Sequence, residues 1–247
     1  MSTQYLKRFF KPKSIAVFGA SEKENSMGGI VLQNLLDGGF EGKLMAVNKR
    51  GYDQVYGVTC YKSLSKLPEM PDLAIICSPA GSVAELIRKL GANMVKAAMI
   101  LTGGLSRASE PLGRSMRDEI MEAAKPYGIR ILGPDCMGML VSAHKMNASY
   151  SHLNIRKGKV SYVGQSGLLG TAMIDWANGQ EIGFSHFLTL GEGVDVDLPS
   201  IIDYYAQDPY TQSILIQLDH LVGSSRDLLS SLRAASRNKL VLVLKSN

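Results

Sequence analysis

The residues able to do chemistry sit where apolar runs end. SIAVFGAS places Gly19, Ala20 and Ser21 directly after the first such run. A glycine there lets the backbone turn tightly, and Ser21 offers a hydroxyl and an amide to an anion; α/β folds hold phosphates in this way, beside a helix N-terminus. One helix end contributes only about 0.3–1 kcal/mol of electrostatic preference, so several groups must converge. AVNKRG supplies two of them, Lys49 and Arg50, after the second run. An acid at that place bonds the ribose 2′-hydroxyl of NAD; a basic pair favours a ribose that bears a phosphate, as in NADP or coenzyme A. A solvated basic loop is the plain alternative.

Other stretches complete the set. The dinucleotide fingerprint G-x-G-x-x-G is absent, since the chain reads Gly19-Ala20-Ser21-Glu22-Lys23-Glu24, and a tight βα turn capped by Ser21 is the plain alternative to a ligand site. After the third run comes CSPAGSV, in which Pro79 breaks the strand and Ser82 is placed to cap the next helix. Ala80, Gly81, Gly103 and Gly104 are small enough for a slot that takes a long thin chain such as pantetheine, and any tight loop would use the same residues. In YVGQSGLLG, Ser166 and Gly167 open a helix, which suits a phosphate or serves as an ordinary N-cap. A nucleophile elbow, G-x-S-x-G, fails at Leu168, and no acid–histidine pair accompanies it. No catalytic residue is assigned.

Those residues need a scaffold that brings strand ends together. Short apolar strands are expected at Ser14–Gly19, Lys43–Asn48, Asp72–Cys77, Ala97–Thr102 and Arg130–Leu132, with helices at Gly28–Leu36, Ser82–Leu90 and Pro111–Tyr127 between them. Ala143–Lys157 is polar and without a clear period. A second series follows: strands Lys159–Gly164, Phe184–Leu190, Ser213–Leu218 and Leu240–Lys245, and helices Gly167–Trp176, Leu198–Ala206 and Ser225–Ser236. Alternation of this kind means βαβ units, and continuous apolar strands mean sheets covered on both faces. The fold class is therefore α/β, with two doubly wound parallel-sheet domains joined near residue 150.

Composition narrows the function. The 247 residues are 45% hydrophobic and 20% charged, the balance of a globular chain with a real core. No apolar run reaches bilayer length, and MSTQYLKRFFKPKS lacks the apolar stretch of a secretory signal, so a cytoplasmic address and no membrane are expected. Net charge is +5; it is dispersed and not interleaved with aromatics, which argues against nucleic acid and fits a small polyanion. Cys60, Cys77 and Cys136 are too few and too far apart for a disulfide framework, and no metal-ligand spacing appears. Cys77 reads as buried structure, and His144, His152, His186 and His220 as surface or satisfied core histidines.

SIAVFGAS, AVNKRGYDQVYGVTCYKSL, DLAIICSPAGSV, MILTGG and ILGPDCMGML, in that order, resemble the NDP-forming acyl-CoA synthetases, which include the α subunit of succinyl-CoA synthetase. The resemblance covers the whole chain. It implies a Rossmann-like CoA-binding domain over 1–150 and a flavodoxin-like, succinyl-CoA-synthetase-type domain over 151–247. Coenzyme A or acyl-CoA then falls on Gly19, Ala20, Ser21, Lys49, Arg50, Ser78, Pro79 and Val83, with Gly103 in the slot, and Ser166 and Gly167 face a phosphohistidine. NASYSHLNIRKGKVSYVGQSG, IDWANGQEIGFSHFLTLGEGVDVD and LRAASRNK resemble one branch more closely, the bacterial protein lysine acetyltransferases that join a synthetase-like regulatory half to an acetyltransferase domain.

Departures from the family pattern are specific. Lys49 stands where the family often has proline, and Leu105 where it often has phenylalanine. Asp135 replaces the asparagine of G-P-N; a carboxylate there weakens the binding of an anion unless it is paired or turned away. Asp219 replaces a glutamate that supports the phosphohistidine and reaches one methylene less far. KLVLVLKSN reads as a buried closing strand, and the family's phosphohistidine loop would follow it. The expectation is thus a CoA-binding regulatory module of a lysine acetyltransferase, inactive alone. An ATP-grasp or acetyltransferase domain would lie downstream or in trans. The alternatives are the α-type part of an ADP-forming acyl-CoA synthetase and an NADP-binding protein.

Overall fold

The computed structural model describes residues 3–105, 108–109, 114–221 and 223–245. From the N-terminus come α1 (Lys7–Phe10), β1 (Ser14–Phe18), α2 (Met27–Asp37), β2 (Lys43–Val47), β3 (Gln54–Val55), β4 (Val58–Tyr61), β5 (Leu73–Ile76), α3 (Val83–Ala92) and β6 (Ala97–Ile100). The two-residue strands β7 (Ala108–Ser109) and β8 (Arg114–Ser115) pair with each other. Then follow α4 (Met116–Ala124), β9 (Arg130–Leu132), β10 (Gly138–Val141), β11 (Met146–Ser149), β12 (Lys157–Gly164), α5 (Gly167–Gly179), β13 (Phe184–Thr189), α6 (Leu198–Gln207), β14 (Ser213–Leu218), α7 (Ser225–Ala235) and β15 (Leu240–Lys245).

The first sheet has the order β3-β4-β2-β1-β5-β6-β9, parallel except for the β3–β4 hairpin. Its strands are buried on both faces, as the apolar runs require. Ile15, Val17, Leu73 and Ile75 pack with α1 and α2 on one side. Their neighbours Ala16, Phe18, Ala74 and Ile76 pack with α3 and α4 on the other. The second sheet has the order β11-β10-β13-β12-β14-β15. One face, with Val163, Leu188, Ile214 and Ile216, meets α6 and α7 and joins the same core as Ile15 and Val17. The other face, with Tyr162 and Phe187, is covered by Ile174 and Ala177 of α5. The two sheets thus share one continuous apolar middle.

Three stretches depart from the sequence reading. Periodicity gives no element over 138–149, yet β10 and β11 form an antiparallel hairpin there, β10 runs antiparallel to β13, and the second sheet is mixed. Polar Asn147 and Ser149 hide this strand from a hydropathy reading; both are buried, and their side chains bond each other at 2.7 Å. Asn34 of α2 donates to the carbonyls of Ser149 and Ser151, both at 2.8 Å, which ties the hairpin to the first half.

The helix expected from Pro111 begins at Met116, where the Ser115 hydroxyl accepts from Asp118 N at 3.2 Å; residues 110–113 lie outside the described residues. Finally, β15 is not buried. It is the edge strand of its sheet, and Leu240, Leu242, Val243 and Leu244 are each half exposed or more.

Candidate functional site

A cavity of about 470 Å³ opens at the carboxyl ends of β1, β2 and β5, where open parallel sheets place their ligands. Six of the expected residues line it: Gly19, Ser21, Lys49, Arg50, Ser78 and Pro79. Ala20 and Val83 are fully buried just beneath, each packed in one of the two cores flanking the sheet. Gly103 does not line the cavity; it follows Thr102, whose hydroxyl donates to the carbonyl of the lining residue Ser78 at 2.7 Å.

The turn after β1 has almost no spare room. Gly19 takes φ +91°, and a Cβ there would stand 2.8 Å from the Cys77 carbonyl oxygen. A Cβ on Gly28 would stand 2.5 Å from the Gly19 carbonyl oxygen, so α2 starts in contact with the turn. Ser26, not Ser21, caps α2 by accepting from Gly29 N at 3.3 Å. Ser21 instead accepts from Lys23 N at 3.0 Å, which folds Lys23 toward the cavity it lines. Ser82 does not cap α3 either; its hydroxyl donates back to the Pro79 carbonyl at 2.8 Å.

Asn48 joins the two key loops. Its Nδ2 donates to the Ala20 carbonyl at 2.7 Å, and its Oδ1 accepts from Arg50 N at 3.0 Å. The basic pair is thereby fixed against the first turn. Lys23, Lys62 and Lys89 also line the cavity, and among the described residues the one carboxylate that lines it is that of Glu85. Glu85 pairs with Lys89 at 2.6 Å, and that contact lowers its pKa. The wall is strongly cationic, which suits a ligand with several negative charges. Sequence reasoning named two of its five cations, because Lys23, Lys62 and Lys89 reach it from a turn, the loop after β4 and a helix that only the fold assembles. Cys77 lines the cavity as a thiol rather than a thiolate: burial, with Cys136 beside it, holds its pKa well above the ordinary value. Burial likewise pushes the Cys136 thiol up to about 12.

The second candidate site is built differently. Ser166 caps α5, its hydroxyl accepting from Leu169 N at 3.2 Å. Its own amide donates to Gln217 Oε1 at 3.2 Å, as does Gln165 N at 3.0 Å. Gln217 Nε2 holds the Asp219 carboxylate at 2.6 Å, and Gln165 Oε1 accepts from the amides of Asp219 and His220. Ser166 thus spends its hydroxyl and amide inside the protein. The neighbouring hollow, lined by Gln165, Gly191 and Glu192 among others, has about 20 Å³, room for about one water. Gly167 packs against Met137, and a Cβ on it would stand 3.8 Å from the Tyr150 hydroxyl.

Asp135 is exposed and takes φ +58°. Its carboxylate lies against Gly103, 2.5 Å from where a Cβ on that glycine would stand. His186 is buried but not satisfied, since its Nε2 has no hydrogen-bond partner. Among the described residues no cluster of His, Cys, Asp and Glu is able to hold a metal, and no helix is long and apolar enough to cross a membrane.

This architecture defines a CoA-binding α/β chain of two modules. Residues 13–142 match the CoA binding domain family, and residues 157–247 match the succinyl-CoA ligase like flavodoxin domain. The chain belongs to the NDP-forming acyl-CoA synthetase family, and its ligand is coenzyme A or acyl-CoA. It is 34% identical over 98% of its length to an ADP-forming acetate–CoA ligase I of Archaeoglobus fulgidus, of which it covers 34%. It is 32% identical over 98% of its length to the ADP-forming acetate–CoA ligase I α subunit of Pyrococcus furiosus, of which it covers 52%. It superposes with a TM-score of 0.91 on the dinucleotide-forming acetyl-coenzyme A synthetase 1 of Ca. Korarchaeum cryptofilum, solved with phosphate and ADP; identity is 32%, covering 97% of this chain and 51% of that one. The chain thus spans a third to a half of the length of these relatives. The CoA-binding match decides between the two ligands, NADP and coenzyme A, that the basic pair alone leaves open.

The residues fit coenzyme A. Lys23, Lys49, Arg50, Lys62 and Lys89 gather several cations on one cavity, a charge that suits the phosphates of coenzyme A. When bound, the coenzyme supplies a thiol; the chain's part is to hold and orient it.

Proposed function

We propose that this chain is the CoA-binding, α-type part of an ADP-forming acyl-CoA synthetase. It works with a nucleotide-binding module of ATP-grasp type, in cis or in trans. The observation that carries this reading is the cationic cavity at the ends of β1, β2 and β5, in a chain related along its whole length to ADP-forming ligases. Lys49, Arg50, Lys23 and Lys62 bind the phosphates, Gly19 and Ser21 let the backbone approach, and Ser78 and Pro79 guide the arm toward α5. Ser166 and Gly167 present the N-terminus of α5 to a phosphoryl group carried by the rest of the enzyme.

A regulatory half of a protein lysine acetyltransferase is the second reading. It is favoured by Asp219, whose carboxylate is held by Gln217, and by the commitment of the Ser166 amide and hydroxyl within the chain. Relatives named as ADP-forming ligases favour the synthetase reading over it.

Calorimetry with coenzyme A, acetyl-CoA and NADP tests the ligand. Micromolar binding of the CoA species, with NADP at least about tenfold weaker, is expected; no heat from folded protein with coenzyme A overturns the proposal. CoA-dependent release of ADP on adding an ATP-grasp module separates the synthetase from the regulator, which binds without turnover.

A further inference from the structure

The loop after β13 leaves its own sheet and runs along the open edge of the other. β9 is the last strand of the first sheet, and such an edge carries unpaired backbone groups. The amides of Glu192, Val194 and Val196 donate to the carbonyls of Pro134, Gly133 and Ile131 at 2.9, 3.3 and 3.0 Å. The Asp195 carboxylate fixes the register. It accepts from Arg130 Nε at 2.8 and 3.1 Å and from Ile131 N at 2.7 Å. The two side chains are only 13% and 23% exposed, so the pair is poorly screened by solvent. Gly191 takes φ +59°, and any Cβ on it would collide with the Pro134 carbonyl, so the two segments are in direct contact.

The clamped segment ends in the turn that carries Asp135. Asp135 N donates to the Thr102 carbonyl at 3.3 Å, and its carboxylate covers Gly103. Thr102 holds the Ser78 carbonyl, and Ser78 is part of the cavity wall. A continuous run of contacts therefore leads from Asp195 to Ser78 in the cavity wall.

We propose that Asp195 is a positioning residue for the sulfur end of coenzyme A. Held on Arg130 and Ile131, it sets the 133–135 turn, and that turn, through Thr102, sets the wall at Ser78 past which the pantetheine arm runs. The proposal rests on the reading of the cavity as a CoA site. It also gives the second module a part in shaping a site built by the first.

The test compares two ligands on the full chain by calorimetry: coenzyme A, and adenosine 3′,5′-bisphosphate, which lacks the arm. Asp195→Ala is expected to weaken coenzyme A about tenfold while leaving the bisphosphate within about twofold. Asp195→Asn keeps an acceptor for Ile131 N but loses the charge, and should fall between. It carries the test if the alanine variant does not fold, which thermal melting reports. Unchanged CoA binding in either folded variant, or equal weakening of both ligands, overturns the positioning role. Wild-type protein that binds neither ligand refutes the CoA reading itself and takes the inference with it.

Discussion

His186 makes the stability of this protein depend on pH in a way that can be calculated. Its ring is 1% exposed. Phe10 meets it edge-on at 5.3 Å and Tyr205 lies at 5.3 Å. Nδ1 is 3.3 Å from the hydroxyls of Ser161 and Ser185, and 3.8 Å from the Asp208 carboxylate. Burial lowers the His186 pKa from 6.5 to about 4; Asp208 opposes the shift, and His144, Lys11 and Lys239 add to it.

The folded state therefore keeps the imidazole neutral while the unfolded chain protonates near 6.5. Stability from this residue is complete above 6.5 and drains away as pH falls from 6.5 toward 4. At about pH 5 the loss is about 2 kcal/mol, rising to about 3 kcal/mol below the folded pKa. Urea unfolding of the wild type and of His186→Phe, at about pH 8 and about pH 5, isolates the effect from that of the carboxylates. The wild type should lose about 2 kcal/mol more than the variant. Equal losses would show that His186 does not titrate on unfolding. A larger loss in the variant would show the imidazolium paired with Asp208 in the fold, which reverses the argument.

Replacing Lys49 and Arg50 together by alanine should weaken coenzyme A by about tenfold or more and flatten its salt dependence; dephospho-CoA, titrated alongside, should lose less if the pair reads the ribose phosphate. Gly28→Ala forces a Cβ to within 2.5 Å of the Gly19 carbonyl oxygen; displacement of α2 from the turn should show as a lower melting temperature and weaker CoA binding together. Phe10 is buried and stacks on Tyr204 at 4.2 Å. Phe10→Ala should cost about 3–5 kcal/mol in urea unfolding, and a value under about 1 kcal/mol would mean that α1 does not dock as described.

Much of the candidate site was legible because it is local. Strand, tight turn and basic pair follow one another along the chain, and a parallel sheet must bring successive strand ends to one edge. Hence Gly19, Ser21, Lys49, Arg50, Ser78 and Pro79 meet in one cavity. The capping serines were harder. Ser21 and Ser82 are read as caps, yet Ser26 caps α2 and Ser82 bonds back to Pro79. Both outcomes depend on how the turn packs against neighbouring strands, which a local motif does not encode.

The sequence by itself determined the alternation of strand and helix, the two-sheet α/β plan and the cationic end of the first sheet. Each follows from the spacing of apolar residues and the order of strands. Only the tertiary structure decided what segments distant in the chain do to one another. Lys23 and Lys62 join the site because separate loops fold over one mouth, and Asn147 and Ser149 are buried in a strand because the hairpin finds β13 and α2. His186 loses its ordinary pKa because Phe10 and Tyr205 close over it.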